Sequence, residues 1–315
     1  MVSETRTKIP AVDFSAEGLA PGREAWEKLK PEVLNAVQEY GCFEIIYPAI
    51  TKNERGEFFG RLKQLFELPV ETKRKNSYGK PFHGYSGQHP GFPLFESMGI
   101  DGADVFQDVQ TFSNLMWPEG NSGFSETINS FTKKLVDFEK IVRMMILESL
   151  GVGNYHDSLT DSLKTLLRVI HNKQPPTMSV SAPGIAPHTD MNFLTILLQD
   201  EVNGIEILTK EGQWIPVFPS PNSFTIFCGD SFMAWSNGRV CSPLHQVTLT
   251  ENKERFSAGF FMIPKAGWMI EAPDELVDEE HPLIYKPFDH FDFIRSYYKD
   301  TKIPAQDVLK QIAGI

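Results

Sequence analysis

Cysteine is scarce in this chain: three residues in 315, Cys42, Cys228 and Cys241, an odd number without any C-x-x-C spacing. That excludes a disulfide scaffold and a thiolate zinc site, and it fits reduced thiols in a cytosolic protein. No run approaches the roughly 20 apolar residues of a membrane span. The opening Met1-Val2-Ser3-Glu4-Thr5 runs into charged residues without the apolar stretch of a secretory leader. Positive charge is in deficit, with 30 Lys and Arg against 41 Asp and Glu and a formal balance of −11. A nucleic-acid surface needs a basic stripe to displace phosphate counterions, so that class is not expected. Internal repeats, low-complexity tracts and Gly/Ser linkers are missing as well. The expectation is a cytoplasmic protein acting on a small molecule, with no nucleic acid, no membrane and no obligate protein partner.

What remains is globular material. Hydrophobic residues are 41% and charged residues 23%, enough to bury a core and too apolar for a disordered chain. Phe is over-used, 24 against 8 Tyr and 5 Trp, which points to thick aromatic packing or an apolar pocket.

Along the chain, residues 9–14 read as a short strand, 30–40 as a helix stopped by Gly41, 42–47 as a strand and 53–66 as a second helix. Residues 78–100, rich in Gly, Pro, Phe and His, read as a loop of the length that usually walls a pocket. Ile128, Phe131, Leu135, Phe138, Val142 and Met145 recur at steps of three and four, which predicts a long amphipathic helix over 124–150. After about Leu166 short strands alternate with turns: 193–198, a hairpin of 204–208 with 214–217, 223–227, and a hairpin of 245–249 with 255–263. Such strands read as a sandwich or jelly roll, closed here by helices at 289–298 and 305–312. The fold class is therefore mixed α and β, with flanking helices at both ends. One interdependent unit is expected: a front over 1–120, then 121–315 with the long helix, a β-core over about 165–265 and the closing helices.

His188-Thr189-Asp190 puts an imidazole and a carboxylate on one strand face. Alone this means little, because about one His-x-acid match is expected by chance among eight His and 41 acids. His290-Phe291-Asp292 is such a match, in a probable helix where residues two apart point away from each other. Context separates the two. His245 lies on a later strand, and ten residues on, Arg255-Phe256-Ser257 sets a guanidinium and a hydroxyl on one face. Two His and one carboxylate on one face of an octahedron leave three positions open, which suits a non-haem Fe(II) holding a chelating co-substrate and O₂. A guanidinium grips a carboxylate by two parallel hydrogen bonds. Arg255, Ser257, Gly259, Phe261 and Ile263 share a face that points inward, and a buried Arg needs an anion. His171 reads as a neighbour of the site or a surface residue rather than a ligand, His83 and His89 as structural with either able to reach substrate, and the carboxylates over 274–280 as a solvated face.

The ordered set His188, Asp190, His245, Arg255 and Ser257 resembles the plant Fe(II)- and 2-oxoglutarate-dependent dioxygenases of specialised metabolism. Further likeness lies in Ile9-Pro10-Ala11-Val12-Asp13-Phe14, Phe66-Glu67-Leu68-Pro69, Gly229-Asp230 and Trp235-Ser236-Asn237-Gly238. Runs such as Lys80-Pro81-Phe82 and Trp117-Pro118-Glu119-Gly120-Asn121 are similar to the branch of glucosinolate side-chain dioxygenases and steroidal glycoalkaloid hydroxylases.

The resemblance implies a double-stranded β-helix, or jelly roll, with Fe(II) at its mouth and 2-oxoglutarate and O₂ as co-substrates. It makes His188, Asp190 and His245 the iron ligands, and gives the far carboxylate of 2-oxoglutarate to Arg255 and Ser257. Asn172 stands where most relatives place a Tyr that also touches that carboxylate, so the grip is expected to be weaker. Gln246 replaces a usual Arg beside the second His and is expected to turn away from the metal. The intact Asp190 disfavours halogenation, which needs that position for halide. Substrate contacts are expected from Phe193, Phe261 and Ile263, with Tyr78, Phe82, Phe92 and Phe95 as a roof. This apolar wall implies hydroxylation or desaturation of a small lipophilic metabolite, with 2-oxoglutarate converted to succinate and CO₂. The alternatives are an auxin-inactivating dioxygenase and a non-catalytic jelly-roll binding protein.

Overall fold

The structure is a computed structural model and describes residues 8–17, 19–77, 79, 83–89, 92–174, 182–217 and 223–315. Twelve strands build the β-core: β1 (Ala11–Asp13), β2 (Cys42–Ile46), β3 (Ser86–His89), β4 (Phe92–Asp101), β5 (Leu163–Asn172) and β6 (Ala182–His188), followed by β7 (Leu194–Gln199), β8 (Ile205–Leu208), β9 (Trp214–Pro216), β10 (Ser223–Cys228), β11 (His245–Leu249) and β12 (Arg255–Pro264). They form a major sheet, in the order β1-β2-β10-β7-β12-β5-β4-β3, and a minor sheet, β6-β11-β8-β9. This is the expected jelly roll.

Two apolar layers hold it. The outer face of the major sheet, with Val169, Ile196, Leu198, Ala258, Phe260 and Met262, joins the helical core. The helix Ser122–Ser149 supplies Ile128, Phe131, Leu135, Phe138, Val142 and Met145 to that core, all buried as their spacing requires. The helix Lys52–Glu67 adds Phe58, Phe59, Leu62 and Leu65, and starts at a capping box in which Thr51 and Glu54 satisfy each other's backbone N–H groups. Between the two sheets lies a smaller apolar layer containing Ile205, Ile207, Ile215, Val217, Phe227, Val247 and Leu249.

Several expectations are corrected. The strands of residues 245–249 and 255–263 do not form a hairpin: β11 pairs with β6 and β8, whereas β12 pairs with β5 and β7. Burial explains this. β11 alternates buried and half-buried residues, as a strand covered on one face does, while β12 is almost wholly buried and sits mid-sheet between the two layers. The turn over 250–254 therefore carries the chain from one sheet to the other. Residues 92–101, expected in a loop, form β4 and pair along β5. Gly99 within β4 allows a close crossing, because a Cβ there would stand 2.3 Å from the carbonyl oxygen of His83. The first helix runs from Glu24 to Glu39, past Pro31, and a helix at Phe106–Met116 was not anticipated. The hairpin of β8 with β9 and the closing helices His290–Tyr297 and Ala305–Ala313 agree with expectation.

Candidate metal and co-substrate site

His188 ends β6 and His245 begins β11, where the two are register partners. Asp190 follows two residues after His188. Its Oδ1 lies 3.9 Å from His188 Nε2 and 4.0 Å from His245 Nε2, and the ligand atoms of all three lie within 4.8 Å of one another. Among the described residues this is the only group of three or more metal-ligating side chains so arranged.

The surroundings fix which atoms face inward. His188 Nδ1 lies 2.9 Å from the carbonyl of Ala186, and His245 Nδ1 lies 3.1 Å from that of Pro243. A carbonyl only accepts, so each Nδ1 carries a proton and Nε2 is the ring nitrogen turned to the metal position. Burial, and next the neighbouring His188 ring, lower His245 to about 4, so its imidazole is neutral at pH 7. Thr195 Oγ1 donates to Asp190 Oδ2 at 2.6 Å, which leaves Oδ1 as the inward oxygen. Two imidazoles and one carboxylate suit a divalent first-row metal with open positions.

A backbone mount supports Asp190. The N–H groups of Gly229, Asp230 and Ser231 donate to the carbonyls of Phe193 (2.8 Å), Asp190 (2.7 Å) and Asn192 (3.2 Å). The Asp230 carboxylate accepts from Thr189 Oγ1 at 2.8 Å and from Gln306 Nε2 at 3.2 Å, and burial raises its pKa to about 7.

The second cluster belongs to the major sheet. Arg255 pairs with Asn172 across one ladder, and Ser257 pairs with Gln199 across the other, so all four share the inner face. Arg255 is 1% exposed, and burial lowers it to about 10, which leaves it protonated at pH 7. Its Nη1 donates to Ser257 Oγ (2.9 Å) and Asn172 Oδ1 (3.4 Å), and its Nη2 to Gln199 Oε1 (2.7 Å). Around it Asn172 Nδ2, Gln199 Nε2 and Arg255 Nε are buried with no hydrogen-bond partner among the described residues. Orphaned buried donors cost about 1–3 kcal/mol each, so their grouping beside a guanidinium fits a carboxylate ligand such as that of a 2-oxo acid.

Other expected residues are placed as follows. Phe261 is half-buried and Ile263 buried on the inner face of β12; Phe261 folds over Gly259. Phe193 is a correction: it is 0% exposed, stacks on Phe232 at 4.9 Å and packs near Trp235 and Trp268, so it belongs to the core and offers no surface to a ligand. Phe95 is half-buried on β4, in register with Asn172, and thus stands beside the Arg255 cluster. Tyr78, Phe82 and the side chain of Phe92 lie outside the described residues. His171 stacks on Phe256 and bonds Glu254, His83 is buried against Asp101, and Gln246 bonds Glu206 away from the metal. Sequence reasoning missed Thr195, Gln199 and Arg168. Arg168 faces Gly259 across the ladder and donates to Ser97 Oγ at 2.6 Å, bringing a cation to the face that also carries Phe261 and Leu166.

Comparison with known proteins agrees with this geometry. Residues 165–264 match the family described as the 2OG-Fe(II) oxygenase superfamily, and residues 9–91 match that described as non-haem dioxygenase in morphine synthesis N-terminal. The chain is 41% identical over 312 residues to a probable 2-oxoglutarate-dependent dioxygenase, AOP1.2, of Arabidopsis thaliana, covering 98% of this chain and 96% of the relative. It is similar to the crystal structure of a rice dioxygenase for auxin oxidation, with TM-score 0.83, 30% identity and coverage of 98% and 100% of the two chains. A dioxygenase for auxin oxidation 1 from Arabidopsis thaliana, solved with 2-oxoglutarate, matches with TM-score 0.79 and 27% identity over 87% of this chain and 99% of its own. With the metal-ligating triad, the anion cradle and a whole-length relative in agreement, the chain belongs to the 2-oxoglutarate- and Fe(II)-dependent oxygenase superfamily.

Proposed function

We propose that this 2-oxoglutarate-dependent dioxygenase hydroxylates or desaturates a small lipophilic plant metabolite in the cytoplasm, with no nucleic-acid, membrane or obligate protein partner. The observation that carries the reading is the pairing of a three-ligand site with a donor-rich cradle on the same interior. His188, Asp190 and His245 would hold Fe(II); Arg255, Ser257 and Asn172 would take the far carboxylate of 2-oxoglutarate. With O₂, a metal and 2-oxo acid held there would supply an oxidation strong enough for an unactivated C–H bond, the 2-oxo acid ending as succinate and CO₂. The chain's own work is orientation. The Nδ1 bonds and Thr195 aim three ligand atoms at one point, Arg255 fixes one end of the co-substrate, and the apolar surface of Phe261, Ile263 and Leu166 excludes water from the substrate side. The free thiols Cys42, Cys228 and Cys241 support the cytoplasmic setting, and no described helix is long and apolar enough to cross a membrane.

A second reading, oxidation of an auxin-type acid, is supported by the similarity to the rice enzyme and by the Arg168 cation on the inner face. Succinate release is measured with a panel of lipophilic plant metabolites, neutral and acidic, for the wild type and Asp190→Ala. Stimulation by a neutral compound supports the main reading, and stimulation only by acids supports the second. If no compound raises turnover above the substrate-free rate, both are wrong.

A further inference from the structure

Each side-chain oxygen of the Arg255 cluster is engaged from within. Asn172 Oδ1, Gln199 Oε1 and Ser257 Oγ all accept from the one guanidinium. This fixes both amides: turning either would set its NH₂ against the N–H groups of a cation, donor against donor. The groups left without a partner are donors, the NH₂ groups of Asn172 and Gln199 and Arg255 Nε, and the Ser257 hydroxyl proton can join them. Gln199 is 2% exposed, and its backbone carbonyl accepts from Arg55 of the helix Lys52–Glu67, so it is held at both ends. Arg55 also donates to the carbonyl of Ser223 at 3.0 Å, which ties β7 and β10 to that helix.

From this we infer that Gln199 is a further co-substrate-binding residue with two tasks: its Oε1 orients the Arg255 guanidinium, and its Nε2 donates to the far carboxylate of the 2-oxo acid. The inference rests on the reading that Arg255 and Ser257 receive that carboxylate. The amide is suited to both tasks, since it presents an acceptor to the cation and a donor to the anion. A cradle whose unpartnered groups are donors beside a guanidinium also favours a carboxylate over its neutral amide, which lacks the charge and brings donors of its own.

The experiment is anaerobic calorimetry of the full chain with Mn(II) in place of iron, titrated with 2-oxoglutarate, alongside thermal melting of the metal-free protein. Gln199→Glu keeps an oxygen on Arg255 and removes the donor. It should melt at or above the wild-type temperature, yet bind 2-oxoglutarate at least about 10-fold more weakly, because the lost donor is compounded by a carboxylate facing the ligand's own carboxylate. A merely structural glutamine predicts lower melting with unchanged affinity in the uncharged Gln199→Met, where a loss of at least about 10-fold is expected instead, and wild-type affinity in either variant overturns the inference. Arg255→Ala distinguishes the two levels: if that variant keeps wild-type affinity, the underlying assignment of the carboxylate is what fails. A ligand-side test needs no variant. Wild-type protein should bind 2-oxoglutaramate, the far-end amide, at least tenfold more weakly than 2-oxoglutarate, and equal binding refutes a cradle built for a carboxylate.

Discussion

Replacing Gly229 with alanine tests the mount beneath Asp190. A Cβ at position 229 would stand 2.1 Å from the carbonyl oxygen of Asn192, 2.7 Å from its carbon and 2.9 Å from the carbonyl oxygen of Asp190. All three are backbone atoms, so no flexible side chain can give way. Restoring ordinary contact requires the segment 190–192 to move by roughly 1 Å. The bonds of 2.7, 2.8 and 3.2 Å that set this segment on residues 229–231 cannot all survive such a shift. Asp190 is the carboxylate of the triad, and misplacement by about 1 Å typically costs on the order of 100-fold in rate. The expected result is a folded protein, destabilised by about 1–3 kcal/mol from overpacking, with much weaker metal affinity and about 100-fold lower turnover of 2-oxoglutarate. Metal titration, succinate release and a thermal melt read the three quantities separately. Wild-type metal affinity and turnover in Gly229→Ala would refute the argument that the 229–231 backbone positions the ligand.

Removing the hydroxyl in Thr195→Val frees Asp190 Oδ2 from its 2.6 Å bond, and metal affinity should fall by about 10- to 100-fold in a direct titration. Burial holds His245 near 4 and His290 near 3 in the fold, below the unfolded value of about 6.5. The unfolded chain thus binds more protons through this range. Stability is fully present above pH 6.5 and falls as pH drops from 6.5 through 4, by up to about 3 kcal/mol for His245 alone; denaturant unfolding of the metal-free protein at pH 7 and pH 4.5 checks the sign. Lys73 and Glu96 are a buried ion pair at 3.0 Å. Lys73→Met, which strands the carboxylate, should cost about 3–5 kcal/mol, and Lys73→Met with Glu96→Leu should recover much of it in the same assay.

The triad was legible because its members are chemically rare and ordered along the chain, and the long helices because periodic burial leaves a periodic mark. Gln199 was not legible. It ends an apolar run, Leu194-Thr195-Ile196-Leu197-Leu198, and only the ladder that sets it opposite Ser257 gives it a role. Phe193 was misread for a related reason, since closeness to Asp190 in the chain says nothing of the bend that turns its ring into the helical core. The separation of β11 from β12 was hidden because a five-residue turn within a sheet and one between sheets have the same composition. What tells them apart is burial on one face against burial on both.

That crossing has a mechanical meaning. His188 and His245 belong to the minor sheet, whereas the Arg255 cluster belongs to the major one. A molecule gripped at one end by metal and at the other by guanidinium is a rivet driven through both leaves of the sandwich. Its binding free energy becomes cohesion between the leaves, added to that of the thin apolar layer around Val247 and Phe227. The seam should therefore stiffen as the co-substrate docks, so that slower amide exchange along β6 and β11 would accompany readiness for catalysis.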